Sequence, residues 1–446
     1  MKPLDYIFTV LFSASIFWIS YFTTQDAFEL NFSLYTVAFG SFLALYKRAD
    51  IIGFKSLLFI TIGLHLIGLF SFPLLSPDWS RFLWDGELIT RAIHPYAYLP
   101  KELIVDTRFE SSLYLKELYA EITPLSAEHY SCYPSVNQFY FFLAAFFSDN
   151  LLVSLVIMRL SMLITLGVGV VYALKLLKKL ELNRNSIWLF ALNPFVIIEL
   201  TNNLHFEGVV VSFLVIAFYY VFNNKRIKAS FFWALAVGVK LTPLLILPYF
   251  YSYLGFRKSV RFFAITLLSV LILLGIVLWP NYLQNFSQSL ALYFSNFEFN
   301  ASVFSLVKTA FYSNYGWETI RVIGPWLSKI SLTLIVVYSL FYKPKTRQQM
   351  IQAMLFGFTI YLLFSSTVHP WYIAIPLGLS IFTPYKSFVL WSFTVMLSYS
   401  FYKLGNTSIT IFLTILEYVS FIVCLLIEVI RNKKKTKIVY DNLLST

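Results

Sequence analysis

Only two cysteines occur in 446 residues, Cys132 in a loop and Cys424 deep in the last apolar run, so no disulfide framework organises this chain. Charge is also scarce. Asp, Glu, Lys and Arg make up 13% of the residues against 59% hydrophobic and 20% aromatic, with a mean hydropathy of +0.72. A soluble domain of this length could not carry such a composition without aggregating. The apolar residues do not come in short alternating segments, which excludes an outer-membrane barrel, but in repeated runs close to bilayer-crossing length. There is no internal repeat, low-complexity tract, linker or soluble domain. The first run, Tyr6 to Phe22, is followed by no small-residue cleavage signature and reads as a retained helix. The net charge of +12 carries no nucleic-acid signal, because Lys and Arg sit in short clusters between apolar runs.

Apolar runs fall at about 5–22, 32–46, 53–75, 136–148, 151–174, 186–200, 206–222, 229–253, 260–279, 319–342, 350–366, 371–383, 387–403 and 408–430. They predict an all-α polytopic membrane protein with about 13 transmembrane or half-transmembrane helices. Residues 1–446 form one integral membrane domain: helices over 1–75, a first large extracytoplasmic loop at 76–135, core helices over 136–279, a second such loop at 280–318, helices over 319–430 and a basic tail at 431–446. The clusters Lys47/Arg48/Lys55, Lys175/Lys178/Lys179/Arg184, Lys225/Arg226/Lys228, Arg257/Lys258/Arg261, Lys343/Lys345/Arg347 and the tail belong in the cytoplasm. Simple alternation cannot put them all there. Two runs must fail to span, and the candidates are 136–148, which is short and follows Pro134, and 229–253, broken at Lys240-Leu241-Thr242-Pro243. The loop 76–135, the turn Asn202 to Glu207, the loop 280–318 and the turn Val368 to Tyr372 then share the non-cytoplasmic face, with short interfacial helices expected in the loops.

The chemistry-bearing stretch is Pro77-Asp78-Trp79-Ser80-Arg81-Phe82-Leu83-Trp84-Asp85-Gly86-Glu87, followed by His94-Pro95-Tyr96. On a helix, Asp78 and Asp85 share a face, with Arg81 between them. An interfacial belt of Trp and Arg is the plain alternative. Tyr133-Pro134 then opens the next apolar run, and Asn193-Pro194, His205-Phe206-Glu207-Gly208, Val239-Lys240-Leu241-Thr242-Pro243 and Val368-His369-Pro370-Trp371-Tyr372 follow. In order and common sidedness these motifs resemble the GT-C glycosyltransferases, specifically the polyprenol-phosphate-mannose-dependent mannosyltransferases of the glycosylphosphatidylinositol and phosphatidylinositol-mannoside type, over about residues 76–375. Two departures stand out. The long outer loop follows the third helix rather than the first, and Ser80 stands where an Asp-x-Asp variant would place a second acid.

The resemblance implies a GT-C-like helical bundle that transfers a hexose, mannose by analogy, from a polyprenyl-phosphate sugar to a hydroxyl of a lipid or glycan acceptor, with inversion. Asp78 takes the position of the loop aspartate expected to act as general base; the alternative is an N-cap of the helix it begins. Asp85 and Glu87 are expected to hold sugar hydroxyls or to form a solvated face paired with Arg81, and Arg81 to grip phosphate. His369 is expected to donate to phosphate or position the sugar, and His94 and Tyr96 to line the substrate or to form a proline-locked turn. His205 and Glu207 can meet in a turn, Lys240 either snorkels or lies near lipid phosphate, and Trp79, Trp84 and Trp371 can stack on sugar faces. His65 reads as a hydrogen-bonded packing residue. No cofactor is implied: Asp78, Asp85, His205, Glu207 and His369 have the ligand types for a divalent metal but not the spacing of a known signature. Rival readings are a polymerase or ligase of polyprenyl-linked polysaccharide, a lipid or sugar flippase, and a non-catalytic assembly subunit; acids and histidines gathered at one face rather than at the midplane argue against the flippase. Richness in Lys, Asn, Phe and Tyr points to an AT-rich bacterial genome, hence an inner membrane with the site facing the periplasm and no nucleic-acid partner.

Overall fold

The computed structural model describes the chain except residues 107–108, 110–111, 276–279, 296, 316–318 and 445–446, and except the side chains of 293–295, 312–315 and 435–444. The expected ends of the run 260–279 and of the loop 280–318 therefore lie outside the described residues. Among the described residues the protein is helical, its one β-type pairing being an isolated bridge between Phe299 and Thr367. Among the described residues, five helices are long and apolar enough to cross a membrane: Pro3–Phe22, Phe28–Lys47, Leu151–Lys179, Thr319–Phe341 and Ser408–Lys434. A sixth span arises if Val196–Asn202 and Glu207–Phe222, bent by 102°, count as one.

Of the remaining apolar runs, some are single shorter helices, such as Arg347–Phe364, and others are helical in pieces. Residues 387–404 continue through Ser387–Thr394, a 3-10 stretch Val395–Tyr399 and Ser400–Leu404, while 229–253 divides into Arg226–Val239, the 3-10 turn Thr242–Ile246 and Tyr249–Leu254. Lys240 supplies the break, with an extended backbone at φ −151° and ψ 135°, because Pro243 excludes a continuing helix over the turn before it. The run 136–148 becomes Ser135–Phe146, whose 12 residues rise only about 18 Å.

Helix ends follow local chemistry. Asn150 caps the 29-residue Leu151–Lys179 helix through its side-chain oxygen, and Lys178 and Lys179 meet the negative pole at its other end. Thr346 and Gln349 form a reciprocal capping box for Arg347–Phe364. The Asp78–Thr90 helix lies directly on Ser135–Phe146, where a side chain on Gly86 would stand 2.2 Å from the carbonyl oxygen of Phe141. That close approach lets Phe82 stack on Phe141 with ring centroids 4.7 Å apart and planes within 7°.

Val196–Asn202 is a π-helical turn, a geometry rare outside functional sites. Its freed carbonyls are capped from within the bundle: the fully buried Arg159 donates to Asn202 O at 2.9 and 3.2 Å and to Leu69 O at 2.9 Å. His65 bridges Thr201 Oγ1 (2.8 Å) and Ala191 O (2.9 Å), the packing role expected of it. The chain then reverses through Leu204, a bulky residue held at φ +62°, a conformation that costs about 1–2 kcal/mol. Such strain persists only where the surroundings fix it. Here it presents His205 and Glu207.

Candidate active site

Asp78 opens its helix, but no side chain caps that helix and, among the described residues, nothing hydrogen-bonds its carboxylate. Asp78 is partly open at the surface yet densely surrounded, and burial raises its carboxyl above the ordinary carboxylate range. His205 and Lys240 pull the other way and Glu207 adds to the rise, which puts all three within electrostatic reach of Asp78. Residues 78, 205, 207 and 240 come from the loop 76–135, the turn after the run 186–200, and the two runs 206–222 and 229–253. The bent turn and the broken helix bring them together.

His369 joins the group from the turn before the 3-10 segment Pro370–Ile373. Its backbone neighbours are pinned by the bridge: Val368 N donates to Phe299 O at 2.8 Å and Phe299 N to Ser366 O at 3.1 Å. Burial lowers the His369 imidazole to about 3, with further lowering from His205 and Lys240, so the ring is neutral at ordinary pH. The Tyr402 hydroxyl lies 3.4 Å from His369 Nδ1. Donation there leaves the hydrogen of the neutral ring on Nε2, which makes His369 a neutral donor.

Trp371 sits between the two imidazoles. His205 stacks on one side with centroids 3.6 Å apart and planes 13° apart, His369 at 4.6 Å and 1°. Phe299 stacks on His369 in turn, at 4.7 Å. With imidazoles stacked on it and only 8% of its surface exposed, Trp371 holds the histidines apart rather than offering a platform to a sugar. Lys240 forms an ion pair with Glu207 and lies 4.0 Å from the centroid of the Tyr372 ring, so its ammonium is held by a carboxylate and an aromatic face. The buried carboxylate Glu199, on the π-helical turn, has its Oε2 3.2 Å from His205 Nδ1.

The other residues singled out in the sequence lie in different surroundings. Arg81 Nε donates to Asp85 at 2.8 Å, and its Nη1 donates to the carbonyls of Ser126 (2.8 Å) and His129 (2.7 Å). Asp85 is fully buried and also receives Ser131 Oγ and Gln138 Nε2. Together they lash the end of the loop to the helix. Glu87 pairs with Arg91 at 2.7 Å, Trp84 is wholly buried beside Phe109 and Tyr119, and Trp79 is buried against Phe72. His94 stacks on Tyr282 at 3.8 Å and lines, with Tyr96, an apolar groove of about 410 Å³ between this helix and Ser135–Phe146. Among the described residues no three His, Cys, Asp or Glu side chains come close enough to hold a metal ion.

The arrangement sets one unbonded carboxylate against a cation and two imidazoles. That suits abstraction of a hydroxyl proton beside a departing anion. Glu199 was missed in the sequence because it stands inside the apolar run Val196-Ile197-Ile198-Glu199-Leu200, although a lone acid in such a run is itself a functional signal. Among curated proteins none matches the chain. Residues 51–255, which include Asp78, Glu199, His205, Glu207 and Lys240, match the family model described as Alpha-(1->6)-mannopyranosyltransferase, N-terminal domain, a GT-C type mannosyltransferase family, and on that match the chain is a glycosyltransferase.

Proposed function

We propose that the protein transfers a mannosyl residue from a polyprenyl-phosphate donor to a hydroxyl acceptor at the extracytoplasmic face, with inversion at the anomeric carbon. The observation that carries this reading is the Asp78 carboxylate, free of hydrogen bonds among the described residues and within electrostatic reach of His205, Glu207 and Lys240. As the acceptor oxygen bonds to the anomeric carbon, its proton passes to Asp78. The bond from that carbon to the phosphate oxygen breaks, and its electron pair leaves with the phosphate. A phosphate monoester needs no proton to depart, so one base is sufficient. Lys240 and the two imidazoles, rather than Arg81, stabilise the departing charge.

In this reading Asp85 and Arg81 hold the loop over the site, and Glu87, Trp84 and Trp79 hold the helix that carries Asp78. The groove beside His94 and Tyr96 is open to a lipid or sugar portion of a substrate. The reading is tested with purified protein in lipid nanodiscs, given radiolabelled polyprenyl-phosphate mannose and a membrane extract as acceptor source. Label transferred with inverted anomeric configuration, read by NMR of the product, is expected. Transfer from a nucleotide sugar instead, or no transfer from any polyprenyl-phosphate hexose, would overturn it.

A further inference from the structure

His205 is held by one residue through two hydrogen bonds to its carbonyl and a close approach of its carboxylate, whose Oε2 has no hydrogen-bond partner of its own. Its backbone N donates to Glu199 O at 3.2 Å, and its Nδ1 lies 3.0 Å from the same carbonyl and 3.2 Å from Glu199 Oε2. Both neighbours of Nδ1 are acceptors, so Nδ1 carries the hydrogen and the opposite nitrogen, Nε2, is left to face elsewhere. The ring cannot turn over to exchange them, because Trp371 lies flat against it at 3.6 Å. Nε2 is buried and has no hydrogen-bond partner, while His205 as a whole is only 3% exposed. A buried polar atom without a partner is unusual enough to need a reason.

Glu199 is held as firmly. It is fully buried, and Tyr399 donates its hydroxyl to Oε1 at 2.7 Å, which turns Oε2 towards His205. Tyr399 comes from the far side of the bundle, 200 residues along the chain. No substrate contact is needed to account for Glu199.

We propose that Glu199 is a positioning residue: its carbonyl takes the Nδ1 hydrogen of His205, which aims Nε2 into the site, and its carboxylate, 3.2 Å from Nδ1, is the counter-charge for the ring when Nε2, having taken a proton from water, donates that hydrogen to an oxygen of the departing phosphate. This rests on the reading that the donor is a polyprenyl phosphate. Trp371 passes the alignment on: with His205 fixed on one face, the indole sets the plane on which His369 rests.

The test uses the full chain in nanodiscs with ¹⁵N-labelled histidine. His205→Asn identifies the His205 resonances among the five histidines. Glu199→Gln, which keeps the shape and removes the charge, is expected to shift those resonances. Unmoved resonances overturn the proposal. Should Glu199→Gln not fold, Tyr399→Phe, which frees Oε1 and leaves the carboxylate in place, carries the same comparison with the same two outcomes.

A second arm measures binding of polyprenyl phosphate alone. Glu199→Gln and His205→Asn are each expected to weaken it about tenfold, and the double variant no more than either single change, since Glu199 acts through His205. Independent, multiplying losses would mean that Glu199 acts by another route and would overturn the proposal. Wild-type protein that binds no polyprenyl phosphate would sink the donor reading, and the resonance comparison would still decide the role of Glu199.

Discussion

Asp85 was expected in the sequence to serve the substrate, and its surroundings lead to a different prediction. Its Oδ1 pairs with Arg81 Nε at 2.8 Å, with 5% of the Arg81 side chain and none of the Asp85 side chain exposed, and its other oxygen receives Ser131 and Gln138. Replacing Asp85 with Ala leaves the guanidinium buried with only the Ser126 and His129 carbonyls, while Ser131 loses its acceptor and Gln138 keeps only Ser131 Oγ and the Tyr133 carbonyl. Breaking a buried ion pair from one side costs about 3–5 kcal/mol, because the remaining charge stays desolvated. That is a large part of the roughly 5–15 kcal/mol by which a folded domain exceeds its unfolded state. In thermal unfolding followed by fluorescence, Asp85→Ala is expected to unfold about 3–5 °C below wild type. Asp85→Asn with Arg81→Met, which removes both charges at nearly constant volume and keeps an acceptor for Ser131 and Gln138, should recover most of the difference. Asp85→Ala with wild-type thermal stability and turnover reduced a hundredfold or more would refute the reasoning and return Asp85 to the substrate.

Three further outcomes follow from the same geometry. Lys240→Met leaves Glu207 buried without its cation and should cost about 1–3 kcal/mol, less than a fully buried pair because the Lys240 side chain is 31% exposed; Lys240→Met with Glu207→Gln should regain most of it in thermal unfolding. His369, lowered to about 3 from an ordinary 6.5, binds its proton more readily in the unfolded chain, so its contribution to stability is present above about 6.5 and is lost as pH falls towards 3. His369→Asn should flatten the decline of thermal stability between pH 6.5 and 4.5, and an unchanged slope would contradict the burial argument. Pro243→Ala permits a continuous helix through Lys240, so turnover is expected to fall in a variant that still inserts and unfolds normally; full turnover would mean that the break is incidental.

The break at Lys240 was legible because proline has one backbone consequence wherever it stands, and the sidedness of the runs put 78, 205, 207 and 369 on one face, while the place of Lys240 beside Glu207 was not foreseen. The short Ser135–Phe146 helix was legible from its length. What escaped was everything that depends on tertiary neighbours. Trp371 reads in sequence like Trp79 and Trp84, three aromatic residues beside charges, yet imidazoles lie against it and the other two are sealed in the core. Arg81 and Asp85 stand one helical turn apart and form a pair on any helix; only the carbonyls of Ser126 and His129, arriving from the end of a long loop, show that the pair is a clasp. The π-helical turn and the positive φ of Leu204 leave no trace in hydrophobic periodicity, because the run they interrupt is apolar throughout.

The central claim is that Asp78 removes the acceptor proton, and the amide of Asn tests it most directly. Asn has nearly the shape of Asp and caps a helix about as well, but it has no basic oxygen. Turnover of polyprenyl-phosphate mannose by Asp78→Asn should fall about 10²–10⁴-fold, with binding of the lipid donor and thermal stability unchanged. In wild type the same rate should fall as pH drops through a carboxyl range higher than an ordinary aspartate would show, since burial raises Asp78 and only its ionised form can accept the proton. Asp78→Asn with near wild-type turnover would contradict the account and leave the site without its base.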